Sequence, residues 1–242
     1  MENEFVLIID FGSQVTQLIA RRLRELNAYC EIHPFNKINN DFLQKLKPKA
    51  IILSGGPASV INDNAPTPPS SIYNLDIPIL GICYGQQVMM KMLGGSVISG
   101  SGTSEFGKSF INVSNKSENI KFLDGLFLHE GKEEVWMSHG DHVASIPEDF
   151  DVYGFSENAP FAIIGNTKKH FYGVQFHPEV FHTLNGKVLI KNFLKLSNFS
   201  FNWSMQSYLE QSVEEIKKKV GRKKVICALS GGVDSSVTAI LI

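Results

Sequence analysis

Three short apolar runs along the chain each end in glycine. They are "FVLIID" (5–10) before "FGSQ", "AIIL" (50–53) before "SGGP", and "IPILGI" (77–82) before "CYGQQ". Between the first two, "TQLIARRLREL" places Leu18, Ile19, Leu23 and Leu26 at helical spacing. Continuous apolar runs are what strands buried on both faces require, and helices between them predict a parallel sheet. In such sheets ligands gather beyond the carboxyl ends of the strands, the edge where all three glycine turns fall.

From about 96 to 176 the pattern changes. Stretches such as "KSFINVS", "EVWMSH", "PFAIIGN" and "FYGVQFH" are rich in β-branched and aromatic residues, and "GNTKKHFYG" reads as a hairpin connection. The expectation is an α/β fold with a mixed, mostly parallel central sheet flanked by helices and carrying antiparallel additions. "TLNGKVLIKNFLKLS" (183–197) predicts a closing helix. A further helix follows, with Met205, Leu209, Val213, Ile216 and Val220 in register and Gly221 placed to end it. "KKVICALSGGVDSSVTAILI" then predicts a strand, a glycine turn and a helix start. One strand and a helix stub cannot bury a core. The boundaries expected are a domain over 1–198, a linker helix over 199–222, and the truncated start of a second α/β domain over 223–242, its tail mobile or held by a neighbour.

Composition narrows the class. The chain has 242 residues, 43% hydrophobic and 19% charged, enough for a sizeable core. A formal net charge of -1 gives no electrostatic case for nucleic acid or an anionic membrane as partner. No stretch approaches the length of a membrane span, and the start lacks the basic and apolar segments of a signal peptide. Cys30, Cys83 and Cys227 form neither a CxxC pair nor a metal-ligand spacing, so no metal site is expected. A reducing, cytoplasmic setting is the expectation.

Cys83 raises the chemical question. A lone cysteine in an apolar run is most often buried filler. Cys83, however, stands between a strand end and a helix start, where the helix dipole favours a thiolate. Gly81 and Gly85 flank it at two residues on each side, the spacing of a sharp nucleophile elbow. Such a nucleophile needs a base and an orienting group. "GVQFHPEV" (173–180) offers His177 at the end of an apolar run and Glu179 two residues on. An oxyanion formed at Cys83 needs donors, and the backbone N–H groups of Gly56 and Tyr84 are the natural pair.

"SGGP", "GICYGQQ" and "GVQFHPE", in that order, resemble the class I glutamine amidotransferases over roughly residues 5 to 197. "VWMSHGD" (135–141) and "ALSGGVDSS" (228–236) resemble those members whose amidotransferase domain precedes an ATP pyrophosphatase domain that aminates XMP to GMP. The resemblance implies a flavodoxin-like fold and a Cys83–His177–Glu179 triad that hydrolyses L-glutamine through a glutamyl thioester. Gln87 then matches the position that holds the substrate glutamine, and Ser138, His139, Gly140 and Asp141 match a loop lining its pocket. No cofactor is implied for that step. The full reaction would use ATP and Mg²⁺ in a homodimeric enzyme.

"SGGVDSS" also has a reading of its own. Gly231 and Gly232 let backbone N–H groups approach an anion at a helix start, and Ser230, Ser235 and Ser236 add hydroxyls around Val233 and Asp234. No Lys-Ser/Thr pair follows, so it is not a Walker loop. It resembles the pyrophosphate loop of ATP pyrophosphatases. Two departures from the family pattern stand out: His142, where lysine or arginine is more usual, and "SEFGKS" (104–109). Rival readings are a γ-glutamyl peptidase or an amidotransferase for another acceptor, which need no pyrophosphate loop, and a non-catalytic module on the same fold, which needs no triad.

Overall fold

A computed structural model describes residues 4–100, 102–127 and 131–242. The chain divides into two compact units, Met1–Phe201 and Asn202–Ile242.

The first unit begins with β1 (Val6–Asp10), α1 (Thr16–Glu25), β2 (Cys30–Pro34), α2 (Asn40–Leu46) and β3 (Ala50–Leu53). After a long connection come β4 (Ile79–Ile82) and α3 (Tyr84–Met92). Seven strands follow: β5 (Ser96–Ser99), β6 (Glu105–Val113), β7 (Lys132–His139), β8 (Asp141–Ser145), β9 (Asp151–Phe155), β10 (Ile163–Asn166) and β11 (Phe171–Val174). The unit closes with α4 (Gly186–Leu196). Among the described residues a nine-stranded sheet runs β2-β1-β3-β4-β11-β10-β9-β6-β7, and β5 and β8 pair as a separate ribbon. The strands from β2 to β11 are parallel; from β11 to β7 each neighbour is antiparallel. The hairpin read from "GNTKKHFYG" is the β10–β11 connection, with Asn166 opposite Phe171.

The apolar runs form strands because helices cover both sides of them. Along β1, Val6 and Ile8 face a core with Ile19 and Leu23 of α1 and Leu189, Ile190 and Phe193 of α4. Leu7 and Ile9 face the opposite core, with Leu43 of α2 and Val88 and Met89 of α3. Polar residues on either face would sit in those cores without partners, so period-two alternation is absent from these strands.

The second unit holds α5 (Met205–Val220) and α6 (Val233–Leu241). A reciprocal cap between Ser204 and Ser207 starts α5, and Gly221 at φ +56° ends it. The strand expected over "KKVICALS" does not form. Residues 223–230 are exposed and have no ladder partner among the described residues, and a strand needs neighbours to satisfy its backbone. No helix among the described residues is long and apolar enough to cross a membrane.

Candidate active site

β4 delivers Cys83 to a turn that an ordinary side chain tolerates poorly. Its backbone lies at φ +51°, ψ -108°, a strained conformation. Two glycines let that turn close. A Cβ on Gly85 would lie 2.1 Å from the Leu53 carbonyl oxygen, and one on Gly81 would lie 2.7 Å from the Gln86 amide nitrogen. Cys83 N–H donates to Val174 O at 2.8 Å, and Cys83 O accepts from Gln87 N–H at 3.1 Å, opening α3.

Because β11 runs parallel beside β4, with Val174 opposite Ile82, the residues after β11 arrive next to the elbow. His177 is fixed there through its backbone: its N–H donates to Trp136 O at 3.0 Å. Its carbonyl accepts from the Thr183 hydroxyl at 2.7 Å, and that hydroxyl oxygen accepts from Trp136 N–H at 3.0 Å. His177 Nδ1 lies 2.7 Å from Glu179 Oε1, and Glu179 is wholly buried. The Glu179 carbonyl in turn accepts from Arg22 Nε at 2.9 Å, tying the segment to α1. With Nδ1 engaged by Glu179, Nε2 is left for the hydrogen bond with Cys83. Burial works against the imidazolium. The Glu179 charge and the hydrogen bonds that the imidazolium donates to Cys83 and Glu179 outweigh it, holding His177 well above the usual histidine range. The arrangement can therefore store a proton on His177 beside the Cys83 sulfur, as a nucleophile–base pair requires.

A cavity of about 310 Å³ opens over Cys83 and His177, at the small end for ligand clefts. Gly56 and Pro57 line one side, Trp136, Ser138 and Val180 another. Tyr84 N–H belongs to the first turn of α3, where such groups have no intrahelical acceptor. Gly56 packs against Phe11: a Cβ there would lie 2.9 Å from the Phe11 carbonyl oxygen.

The other residues singled out from sequence fall in two places. Ser138 lines the cavity; Gln87, His139, Gly140 and Asp141 stand outside its lining. The Gln87 amide is already engaged, donating to Asp141 O at 2.7 Å. His139 turns into the protein, with Nδ1 3.1 Å from Asp141 O and Nε2 3.3 Å from Glu105 Oε2. Burial pushes Glu105 up, but hydrogen bonds from His139, Ser156 and Ser109 hold it below the ordinary carboxylate value. His142 is buried with Nδ1 unpartnered among the described residues; burial, with His139 nearby, keeps it below the ordinary histidine value. Sequence reasoning assigned no role to the remaining wall, Gly12 to Val15, nor to Trp136 and Val180. The glycine turn after the first apolar run was the one signal for that wall.

In the second unit, Gly231 takes φ +83° just before α6. Ser230 Oγ and Ser235 Oγ lie 3.1 Å apart, and Gly232 O accepts from the hydroxyls of Ser235 and Ser236 at 3.0 and 2.9 Å. The hydroxyls and the helix start are compatible with a phosphate group. Among the described residues no group of three or more His, Cys, Asp or Glu side chains is placed to hold a metal ion.

A strained cysteine elbow with a buried His–Glu pair on a mixed α/β sheet defines a class of enzyme. The family model for class-I glutamine amidotransferase matches residues 7–196, and the chain belongs to that family. Among curated relatives, the glutamine-hydrolyzing GMP synthase of Dinoroseobacter shibae is 59% identical over 241 residues, covering all of this chain and 46% of that protein. The enzyme of the same name from Bartonella henselae is 54% identical over 241 residues, 99% of this chain and 46% of that protein. This chain thus spans about half the length of the curated relatives it matches. A solved structure from Thermoplasma acidophilum, described as a candidate GMP synthase subunit, superposes with a TM-score of 0.70 at 28% identity, covering 89% of this chain and 98% of that one.

Proposed function

We propose that this chain is the glutaminase part of a glutamine-hydrolysing GMP synthase. The observation that supports the reading most is the Cys83–His177–Glu179 arrangement, in a chain 59% identical along its length to such an enzyme. Cys83 Sγ attacks the side-chain amide carbon of L-glutamine. The thiol proton rests on His177 and passes to the departing nitrogen as the C–N bond breaks, releasing ammonia and leaving a glutamyl thioester. Glu179 keeps the imidazole oriented and charged. The N–H groups of Gly56 and Tyr84 are proposed to hold the oxyanion, and the 138–141 turn with Gln87 to shape the substrate pocket. Water then cleaves the thioester to glutamate.

In the whole enzyme the ammonia aminates XMP to GMP, at the cost of ATP cleaved to AMP and pyrophosphate. ATP enters there as substrate with its Mg²⁺. Ser230, Gly231, Gly232, Val233, Asp234, Ser235 and Ser236 are proposed to face its phosphates. The rest of the synthetase and a second copy of the chain complete the enzyme. Three free cysteines suit a reducing, cytoplasmic setting. The test is glutamate release from L-glutamine beside a Cys83→Ala control, repeated with the synthetase half, XMP and ATP. Release that needs Cys83 supports the reading; silence under both conditions overturns it.

A further inference from the structure

We propose that Gln175 donates a hydrogen bond to the Cys83 sulfur and positions it, as the last link of a buried amide relay from the turn after β7. The proposal rests on Cys83 being the nucleophile. Gln175 follows β11 and is 1% exposed, so both ends of its side-chain amide need protein partners.

The orientation of the relay follows from one fixed acceptor. The Asp141 backbone carbonyl can only accept, so the Gln87 group 2.7 Å from it is the NH₂. The second N–H of Gln87 reaches Gln175 Oε1 at 3.3 Å. With Oε1 engaged, the Gln175 NH₂ faces Cys83 Sγ at 3.7 Å, within reach of an N–H···S bond. On another side of the sulfur lies the Ser138 carbonyl oxygen, 3.6 Å away. A thiol can donate to that oxygen; a thiolate is repelled by it. Gln175 offsets the repulsion. As a thiol, Cys83 has both His177 and the Ser138 carbonyl beside it as acceptors. When the proton sits on His177, the sulfur accepts from Gln175 as well as from the imidazolium. A buried hydrogen bond to a charged acceptor is among the stronger kinds.

His177, with Glu179 behind it, is the titratable pair facing the sulfur. His139 and Glu105 lie at the far end of the relay, joined through Asp141 O. Gln175 itself does not titrate, so its removal acts on the sulfur without adding or removing a proton site.

The test is the pH dependence of Cys83 alkylation by iodoacetamide in the 242-residue chain, read peptide by peptide with the exposed Cys227 as internal reference. Gln175→Met removes the donor at similar length. Gln175→Asn keeps a neutral amide but draws it back by one methylene from the sulfur, and carries the test if the Met variant does not melt cooperatively. The expected result is a midpoint raised by about one pH unit in Gln175→Met, a tenfold change in thiolate population, and raised in the same direction in Gln175→Asn. The Cys227 profile should stay fixed. Midpoints equal to that of the unaltered chain overturn the role of Gln175 and leave Cys83 as nucleophile. If Cys83 of the unaltered chain reacts no faster than Cys227 at neutral pH, the nucleophile reading falls, and this inference with it.

Discussion

Replacing Glu179 by glutamine keeps a hydrogen-bond acceptor beside His177 and removes only the charge. Glu179 is wholly buried and its Oε1 sits 2.7 Å from His177 Nδ1, so little water screens the pair. Charge centres about 4 Å apart attract by about 4 kcal/mol at an effective dielectric of about 20. Relaxation around the shorter-range hydrogen bond lowers the net loss to about 2–4 kcal/mol. At about 1.4 kcal/mol per decade, glutaminase kcat/KM should fall by about 30- to 1,000-fold. Stability should change with a definite sign. The folded value of His177 lies above the unfolded 6.5, so its contribution is complete below pH about 6.5 and fades as pH rises through the folded value. The stability gap between the unaltered chain and Glu179→Gln should therefore be widest in mild acid and narrow as pH rises. Steady-state kinetics and urea melts over a pH series measure both. A kcat/KM within threefold of the unaltered chain, or a gap that grows with pH, would refute the electrostatic account.

Cys83→Gly should melt higher than Cys83→Ala by about 2–8 °C, since glycine relieves a φ of +51° worth about 1–2 kcal/mol, while both lose glutaminase activity; equal melting temperatures would count against strain at the elbow. Gly85→Ala should destabilise the fold by about 3 kcal/mol or more, because its Cβ would meet the Leu53 carbonyl oxygen at 2.1 Å; a melt unchanged within about 0.5 kcal/mol would contradict the packing described. His142 has a folded value below its unfolded one, so its contribution is present above pH about 6.5 and is lost as pH falls through the folded value. His142→Leu should accordingly lose less stability than the unaltered chain between pH 7 and 5, measured by urea melts; parallel losses would show that His142 does not titrate there.

The strands that lead into Cys83 and His177 were legible because a strand buried on both faces must be apolar throughout. β2 and α2 were not. β2 is an edge strand whose Glu31 and His33 hydrogen-bond to each other at 2.9 Å, so its "CEIHP" carries no apolar run. α2 has seven residues and depends on a cap, the Asn39 side chain accepting from Phe42 N–H at 2.8 Å. The elbow could be read because its glycines obey a local steric rule. The inward turn of His139 could not, since its partner Glu105 lies 34 residues away and on another strand. Gln175 was hidden for the same reason: its side-chain partners Cys83 and Gln87 are distant in sequence. The strand expected over 223–230 shows the opposite failure. Its composition suits a strand, but a strand is a property of a pair.

β7 is the last strand of the sheet, and the segment that carries His177 lies along its free side, with Trp136 O and Trp136 N–H both taken up by residues 177 and 183. The outermost ladder position, the first to fray in a sheet, is thus latched by the peptide that carries His177. A subglobal opening confined to this rim would release His177 while β4 and the cysteine elbow stay closed in mid-sheet. If His177 is the base proposed above, amide exchange at His177 reports catalytic competence separately from global unfolding, and mild denaturant should abolish glutaminase activity before it melts the core.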